Sequence, residues 1–156
     1  FAKTHAAAGK MSALIAEGKM TKEYYAVVRG EPENKSGILE DLLFKDSSKN
    51  KSFVVKRMRK GVKKASLEYE TQKTLTDGDK KYSLVKIKLH TGRTHQIRVQ
   101  FSSRKMPLLG DGKYGGKCES CKTALWSYSL SFLHPFTGKE IFVNEPAPSV
   151  YPWNMF

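Results

Sequence analysis

Apolar and polar positions alternate with a period of two along much of this chain. The clearest case is residues 82–89, where Val85, Ile87 and Leu89 are separated by Lys86 and Lys88; one face of such a segment is buried and the other solvated, which predicts a strand. Residues 66–75 repeat the pattern, with Leu67, Tyr69 and Thr71 set against Glu68, Glu70 and Gln72, and Asp77-Gly78 between the two segments predicts a hairpin turn. Residues 22–29 are aromatic and β-branched and are closed off by Gly30 and Pro32, and residues 52–55 are a short apolar run. Residues 124–132 alternate less regularly, and residues 140–143 return after a turn from His134 to Gly138. Helical spacing appears twice. Met11, Leu14 and Ile15 predict an amphipathic helix over residues 5–17, with Thr4 as N-cap and Gly18 as stop. After the turn Thr91-Gly92, a second helix is expected from Arg93 onward, with Ile97, Val99 and Phe101 facing inward. Residues 31–37 and 46–52 are expected as loop and surface turn, and the proline-bearing tail from Glu145 as extended. Residues 38–44 mix apolar residues with Glu40 and Asp41 and receive no assignment. The expected fold is α+β: a mixed, largely antiparallel sheet with two short helices and hairpin connections, in one domain over residues 1–156 without internal repeat or linker.

Charge narrows the partner. Lys and Arg number 28 against 15 Asp and Glu, a net charge of +13, and such an excess implies a polyanion, most often nucleic acid. An acidic membrane surface is the competing reading, but no apolar run approaches the roughly 20 residues of a spanning helix. With 17 aromatics (8 Phe, 7 Tyr and 2 Trp), the chain has material for a core rather than for a disordered basic tail. Two cysteines imply no disulfide framework, and a reducing, cytoplasmic setting is the simplest fit.

Several groups could carry chemistry. Arg93, His95, Gln96 and Arg98 gather where a strand ends and a helix begins, a junction at which side chains and free helix amides converge on anions. Residues 56–64 contain Lys56, Arg57, Arg59, Lys60, Lys63 and Lys64, which serve either as a solvated loop or as phosphate contacts. Cys118 and Cys121 form a lone C-x-x-C, half a zinc site at most, so no metal is expected there and free or oxidised thiols are. Ser127, His134 and Asp111 are set aside as a hydrolase triad, because no Gly-x-Ser-x-Gly elbow surrounds any serine.

Gly92-Arg-Thr-His-Gln-Ile-Arg98, followed by Pro107-Leu-Leu-Gly-Asp111 and Lys113-Tyr-Gly115, resembles the signature of RluA-type RNA pseudouridine synthases. The resemblance implies a pseudouridine synthase-like catalytic domain that binds ribosomal or transfer RNA, flips a uridine out of its stack and moves its glycosidic bond from N1 to C5, with no cofactor. It places Arg98 beside the catalytic aspartate and Ile97 in the base pocket. Tyr24, in Lys-x-Tyr-x-Ala-x-Val, is implied as the ring that stacks on the base, while Tyr25 on the other face belongs to packing. Arg93, His95 and Gln96 are expected near the RNA, together with Arg57, Arg59, Lys60, Lys63 and Lys64. The family's aspartate lies in an Arg-Leu-Asp string ahead of an Ala-Lys-Thr. Here Phe1-Ala2-Lys3-Thr4 opens the sequence, and none of Asp41, Asp46, Asp77, Asp79 and Asp111 follows Arg-Leu. The chain is therefore expected to be the later portion of such a domain, inactive alone, with an uncovered sheet edge that associates with the N-terminal segment it lacks. Asp111 is expected to hold a loop. A non-catalytic RNA-binding module and a metal-dependent nucleic-acid enzyme built on the cysteine pair are the rival readings.

Overall fold

The computed structural model describes residues 2–156. Seven strands form one sheet in which every pair of neighbours is antiparallel: β1 (Met20–Arg29), β2 (Ser36–Asp46), β3 (Lys51–Val55), β4 (Val62–Asp77), β5 (Lys80–Leu89), β6 (Leu125–Leu133) and β7 (Glu140–Asn144), in the spatial order β3-β2-β4-β5-β1-β6-β7. From the hairpin at Asp77-Gly78 the pairing runs to Lys73 opposite Leu84, and a bulge between Thr71 and Lys73 then shifts it by one residue, so that Leu67 lies opposite Leu89 and Tyr69 opposite Ile87. The alternate positions then pair Glu68 with Lys88 and Glu70 with Lys86 on the other face, so opposite charges meet across the strands and help fix the register. β1 continues the apolar rows, with Tyr24 opposite Ile87 and Ala26 opposite Val85.

The helix α2 (Gln96–Ser103) covers this apolar face. Ile97 and Phe101 pack with Ala26, Val28, Leu39, Leu67, Val85, Ile87 and Leu108 in the main core, and Val99 packs with Leu43, Ala65 and Tyr114. Phe101 is fully buried, and its removal would cost about 3–5 kcal/mol. Polar contacts fix the helix in place: Gln100 donates to the Leu39 carbonyl (3.1 Å) and to Asp41 (2.8 Å), and Arg104 also donates to Asp41 (2.8 Å). Residues 38–44, unassigned from the pattern, therefore belong to β2, with the acidic residue that interrupts their pattern recruited by α2.

The opposite face is covered by the tail. Val27, Tyr82, Leu109 and Ala124 pack with Trp153, Met155 and Phe156, and residues Trp153–Met155 form a 3-10 turn where extended chain was expected. The first helix, α1 (His5–Ala16), forms where the pattern put it, and the Thr4 hydroxyl accepts from the Ala7 amide at 3.2 Å. It buries no residue outright: Ala7, Met11 and Leu14 along one side are half-buried, and Ile15 is exposed. Beyond it the far edge of the sheet is apolar and open, with Phe142, Val143, Leu133 and Phe136 all exposed. No helix is long and apolar enough to cross a membrane among the described residues.

Candidate active site at the start of the second helix

The site is built by a clamp. Where β5 ends, the amides of His90 and Thr91 both donate to the Ser66 carbonyl (3.1 Å each), and the Thr91 hydroxyl accepts from the Ser66 amide (2.9 Å). Gln96, buried, ties this turn to the helix: its Oε1 accepts from the Thr91 hydroxyl (2.7 Å) and the Arg93 amide (3.0 Å), and its Nε2 donates to the Ser66 carbonyl (3.0 Å). The helix consequently begins at Gln96 rather than at Arg93. Arg93 and Thr94 lie in the turn, and His95 at the N-cap is left-handed with φ 55° and ψ 25°. A non-glycine residue there stores of order 1 kcal/mol, which the surrounding bonds offset.

Arg98 projects from this first turn to Asp111. Nε donates to one carboxylate oxygen (2.6 Å) and Nη2 to the other (2.7 Å), a bidentate fork of the kind that combines strength with fixed orientation. Asp111 is fully buried, and Arg98 keeps one-fifth of its side chain exposed. The same carboxylate accepts from the Tyr114 amide (3.3 Å), and the Asp111 carbonyl accepts from the Gly116 amide (2.7 Å). Asp111 thus holds its loop, as expected, and also holds Arg98, which the sequence reading assigned to an aspartate outside the chain. The guanidinium lies 5.0 Å from the centre of the Tyr114 ring. Its bond to Asp111 holds the Arg98 pKa above the ordinary value.

Two backbone constraints set this loop. The amide of Arg29 donates to the Pro107 carbonyl and that of Leu109 to the Val27 carbonyl, so the segment runs beside the end of β1 like an extra strand. A Cβ on Gly110 (φ 78°) would collide with the Lys122 carbonyl, and one on Gly116 with the Leu108 carbonyl, so only glycine fits at either point.

Tyr114 links the loop to His95. Its hydroxyl accepts from the Ser52 amide (2.8 Å) and lies 3.0 Å from His95 Nδ1. With the Ser52 amide already donating, the phenolic proton can go to Nδ1 when the imidazole is neutral with its proton on Nε2. Burial, and then the charges of Arg98 and Lys113, hold the His95 pKa below its ordinary value, which favours this neutral form.

The other expected site residues divide by position. Tyr24 is half-buried on β1 opposite Ser127 of β6 and packs against the cluster that contains Ile97, with burial raising its phenol pKa. Tyr25 faces the other way and tilts against Tyr128, ring centres 4.6 Å apart. Ile97 is core, and Gln96 spends its amide on the clamp. Arg57, Arg59 and Lys60 are exposed in the β3–β4 loop, while Lys63 and Lys64, taken with that run, already belong to β4. Arg59 stacks on Phe44 at 5.1 Å. Cys118 and Cys121 are free thiols, and no group of three His, Cys, Asp or Glu able to hold a metal occurs among the described residues. His134 and Ser127 are apart from any triad: His134 Nδ1 bonds the Thr137 hydroxyl within its own turn.

The family described as RNA pseudouridylate synthase matches residues 1–103 of this chain. The chain belongs to that family. An uncharacterized RNA pseudouridine synthase of Aquifex aeolicus is 37% identical over 153 residues, covering 88% of this chain and 46% of the relative. A ribosomal large subunit pseudouridine synthase D of Zymomonas mobilis is 31% identical over 157 residues, covering 94% and 48%. The chain therefore spans about half the length of these curated relatives. In fold it is similar to human RNA Pseudouridylate Synthase Domain Containing 1, with a TM-score of 0.79 at 24% identity over 97% of this chain and 64% of that one. The α+β pseudouridine synthase fold and the RluA-type motifs thus agree. Within this candidate site, sequence reasoning missed Tyr114 as the support of His95, although it stands in the same Gly-Asp-x-x-Tyr-Gly string as Asp111.

Proposed function

We propose that these residues form the RNA-modifying face of a pseudouridine synthase that acts on uridine in ribosomal or transfer RNA, breaking the C1′–N1 bond and rejoining the base through C5. The observation that carries this reading is Arg98, immobilised on a fully buried aspartate at the helix start. Nε and Nη2 are committed to Asp111, and Nη1 bonds nothing among the described residues. A guanidinium held this way presents its remaining edge in a fixed direction, ready to orient and keep ionised a second carboxylate. That second carboxylate is the nucleophile. Asp111 is unsuited to the role, because it is buried and both its oxygens are bonded to Arg98. Asp41 is bonded by Gln100 and Arg104, Asp46 caps the turn at Ser48 and Lys49, Asp77 ends β4 at the distal hairpin, and Asp79 lies in that hairpin's turn. We infer that turnover requires a further carboxylate, and the family resemblance implies that it is the aspartate of an Arg-Leu-Asp string, which these 156 residues do not contain.

Tyr24 gives the flipped base a ring to stack on, worth roughly 1–3 kcal/mol. Arg93 and the cations of residues 57–64 bind phosphates, which positions RNA without reading sequence. In keeping with the family resemblance, the proposed rearrangement uses no cofactor. The test is nucleoside analysis of digested ribosomal and transfer RNA after incubation with protein that carries these residues together with an Arg-Leu-Asp segment. Pseudouridine in the digest supports the reading. Tight RNA binding with no pseudouridine under those conditions would leave only an RNA-binding module.

A further inference from the structure

A narrow cleft of about 170 Å³ lies between the edge of the sheet and the turn that precedes α2, lined by Leu43, Lys45, Ser52, Gly61, Lys63, Gly92, Arg93 and Thr94. Register explains the lining. Lys45 pairs with Ser52 across β2 and β3, and Leu43 with Lys63 across β2 and β4, so both lysines rise from the sheet face that α2 covers, just beyond the helix. The lining contains three cations and no carboxylate, and none of the three has an acidic partner within 4.0 Å among the described residues.

Arg93 is the best defined of them. Its Nε donates to the Lys64 carbonyl at 2.9 Å and its amide to Gln96 at 3.0 Å. The near edge of the guanidinium is therefore pinned by backbone, and Nη1 and Nη2 bond nothing else among the described residues. The Ser52 hydroxyl donates to the Thr94 carbonyl (2.6 Å), fastening the far wall to the floor. Lys22 stands behind the turn, with Nζ 3.1 Å from where a Cβ on Gly92 would lie. Like-charged groups that converge from two strands and a turn on one cleft repel one another, and this destabilises the free protein unless an anion enters. An anchored fork with two free nitrogens matches two oxygens of a phosphate.

We infer that this cleft is a phosphodiester subsite, in which Lys45, Lys63 and Arg93 hold one backbone phosphate of the RNA strand that passes the Arg98 site. The inference rests on the RNA-modifying function proposed above and deepens it: it adds Lys45, which the basic run does not include, and it separates one built site from cations that are merely exposed. The cleft is continuous with the candidate active site through Thr94 and His95, whose electrostatic surroundings include Lys45 and Lys113 as well as Arg98. A strand held here is thereby placed in register with Arg98.

The test is a scan of a short single-stranded uridine-rich RNA in which each phosphate in turn is replaced by an uncharged methylphosphonate. With the unaltered chain, one position should weaken binding by about tenfold at low salt, as loss of a well-held phosphate contact does. In the Lys45→Ala, Lys63→Ala, Arg93→Ala variant that position should become no more sensitive than its neighbours. Lys45→Ala alone should flatten it in part, and Arg93→Lys should keep the charge yet lose part of the effect. All three side chains are exposed, and circular dichroism of the triple variant and of each single variant checks that the fold persists. If the sensitive position is unchanged in the triple variant, the phosphate is held elsewhere and the inference fails while RNA binding stands. If the unaltered chain binds no RNA, the functional reading itself fails. If millimolar inorganic phosphate protects the cleft as well as RNA does, the cleft is a free-phosphate site and the strand assignment is wrong.

Discussion

Asp111→Asn tests the arrangement at its centre. In the native site the carboxylate accepts two charge-assisted bonds from Arg98, at 2.6 and 2.7 Å, and one from the Tyr114 amide at 3.3 Å. Asparagine offers one acceptor oxygen and turns an N–H donor toward the guanidinium, so at least one strong bond is lost and an arginine four-fifths buried loses its counter-charge. Removing one partner of a buried pair costs about 3–5 kcal/mol. Arg98 keeps some water and its contact with the Tyr114 ring, so the lower end, about 3 kcal/mol, is expected. That is a large part of the roughly 5–15 kcal/mol by which domains are stable, and it corresponds to about 6–12 °C in Tm for a chain of this size. Urea unfolding followed by far-ultraviolet circular dichroism measures it, with an unchanged slope showing that the same surface is exposed. The exposed pair of Lys81 and Glu31 at 2.7 Å is the internal comparison, and Glu31→Gln should cost under about 1 kcal/mol. A double variant, Arg98→Met with Asp111→Leu, should recover much of the stability, since apolar groups replace a buried pair at little net cost. It should recover no RNA modification. If Asp111→Asn costs no more than Glu31→Gln, the pair is not the buried anchor described here.

Other consequences follow from the same contacts. Gly116→Ala should destabilise the fold by more than about 3 kcal/mol, measured by the same unfolding assay, because the added Cβ meets the Leu108 backbone and nothing flexible can yield. His95 carries a depressed pKa, so the unfolded chain takes up a proton first; the stability it contributes is full above about pH 6.5 and falls as pH drops through the folded value. His95→Gln should remove that part of the pH dependence, and an NMR titration should show the imidazole of the unaltered chain titrating below the free value. Burial raises the Cys121 thiol to about 11. At Cys118 burial acts in the same direction, but bonds from the Ser120 amide, Cys121 and Tyr151 outweigh it and lower the thiol, so iodoacetamide at neutral pH should alkylate Cys118 well before Cys121, as read by peptide mass. Neutralising Lys63 and Lys64 should weaken RNA binding and reduce the slope of log affinity against log salt, whereas Arg98→Ala, measured at a temperature where circular dichroism shows it folded because Asp111 is left unpaired, should change RNA affinity only modestly.

The parts legible in the sequence were those that local pattern controls. Leu67, Tyr69, Val85 and Ile87 alternate as a half-buried sheet must, and all four are buried. The Asp77-Gly78 hairpin and the Thr4 cap follow from turn and cap chemistry alone. Strand β2 was illegible because Asp41 looks misplaced until α2 arrives to bond it. The start of α2 was misread because Gln96 folds back on Thr91 and Arg93, holding His95 in a conformation that periodicity does not encode. The motif around Arg98 marked the site, yet its partner Asp111 lies 13 residues away in a separate loop, a pairing set by that loop's course beside β1. The tail gave only its prolines, and its packing over Val27 and Tyr82 depends on apolar residues that arrive from the far end of the chain.

The most direct test of the central claim is the pseudouridine content of RNA treated with protein in which these residues accompany an Arg-Leu-Asp segment, measured beside the Arg98→Ala variant and beside the 156 residues alone. The account predicts pseudouridine from the first, at least about a hundredfold less from the second because the nucleophile loses its orientation, and none from the third. Pseudouridine formed by the 156 residues alone, or formed at an undiminished rate by Arg98→Ala, would contradict it.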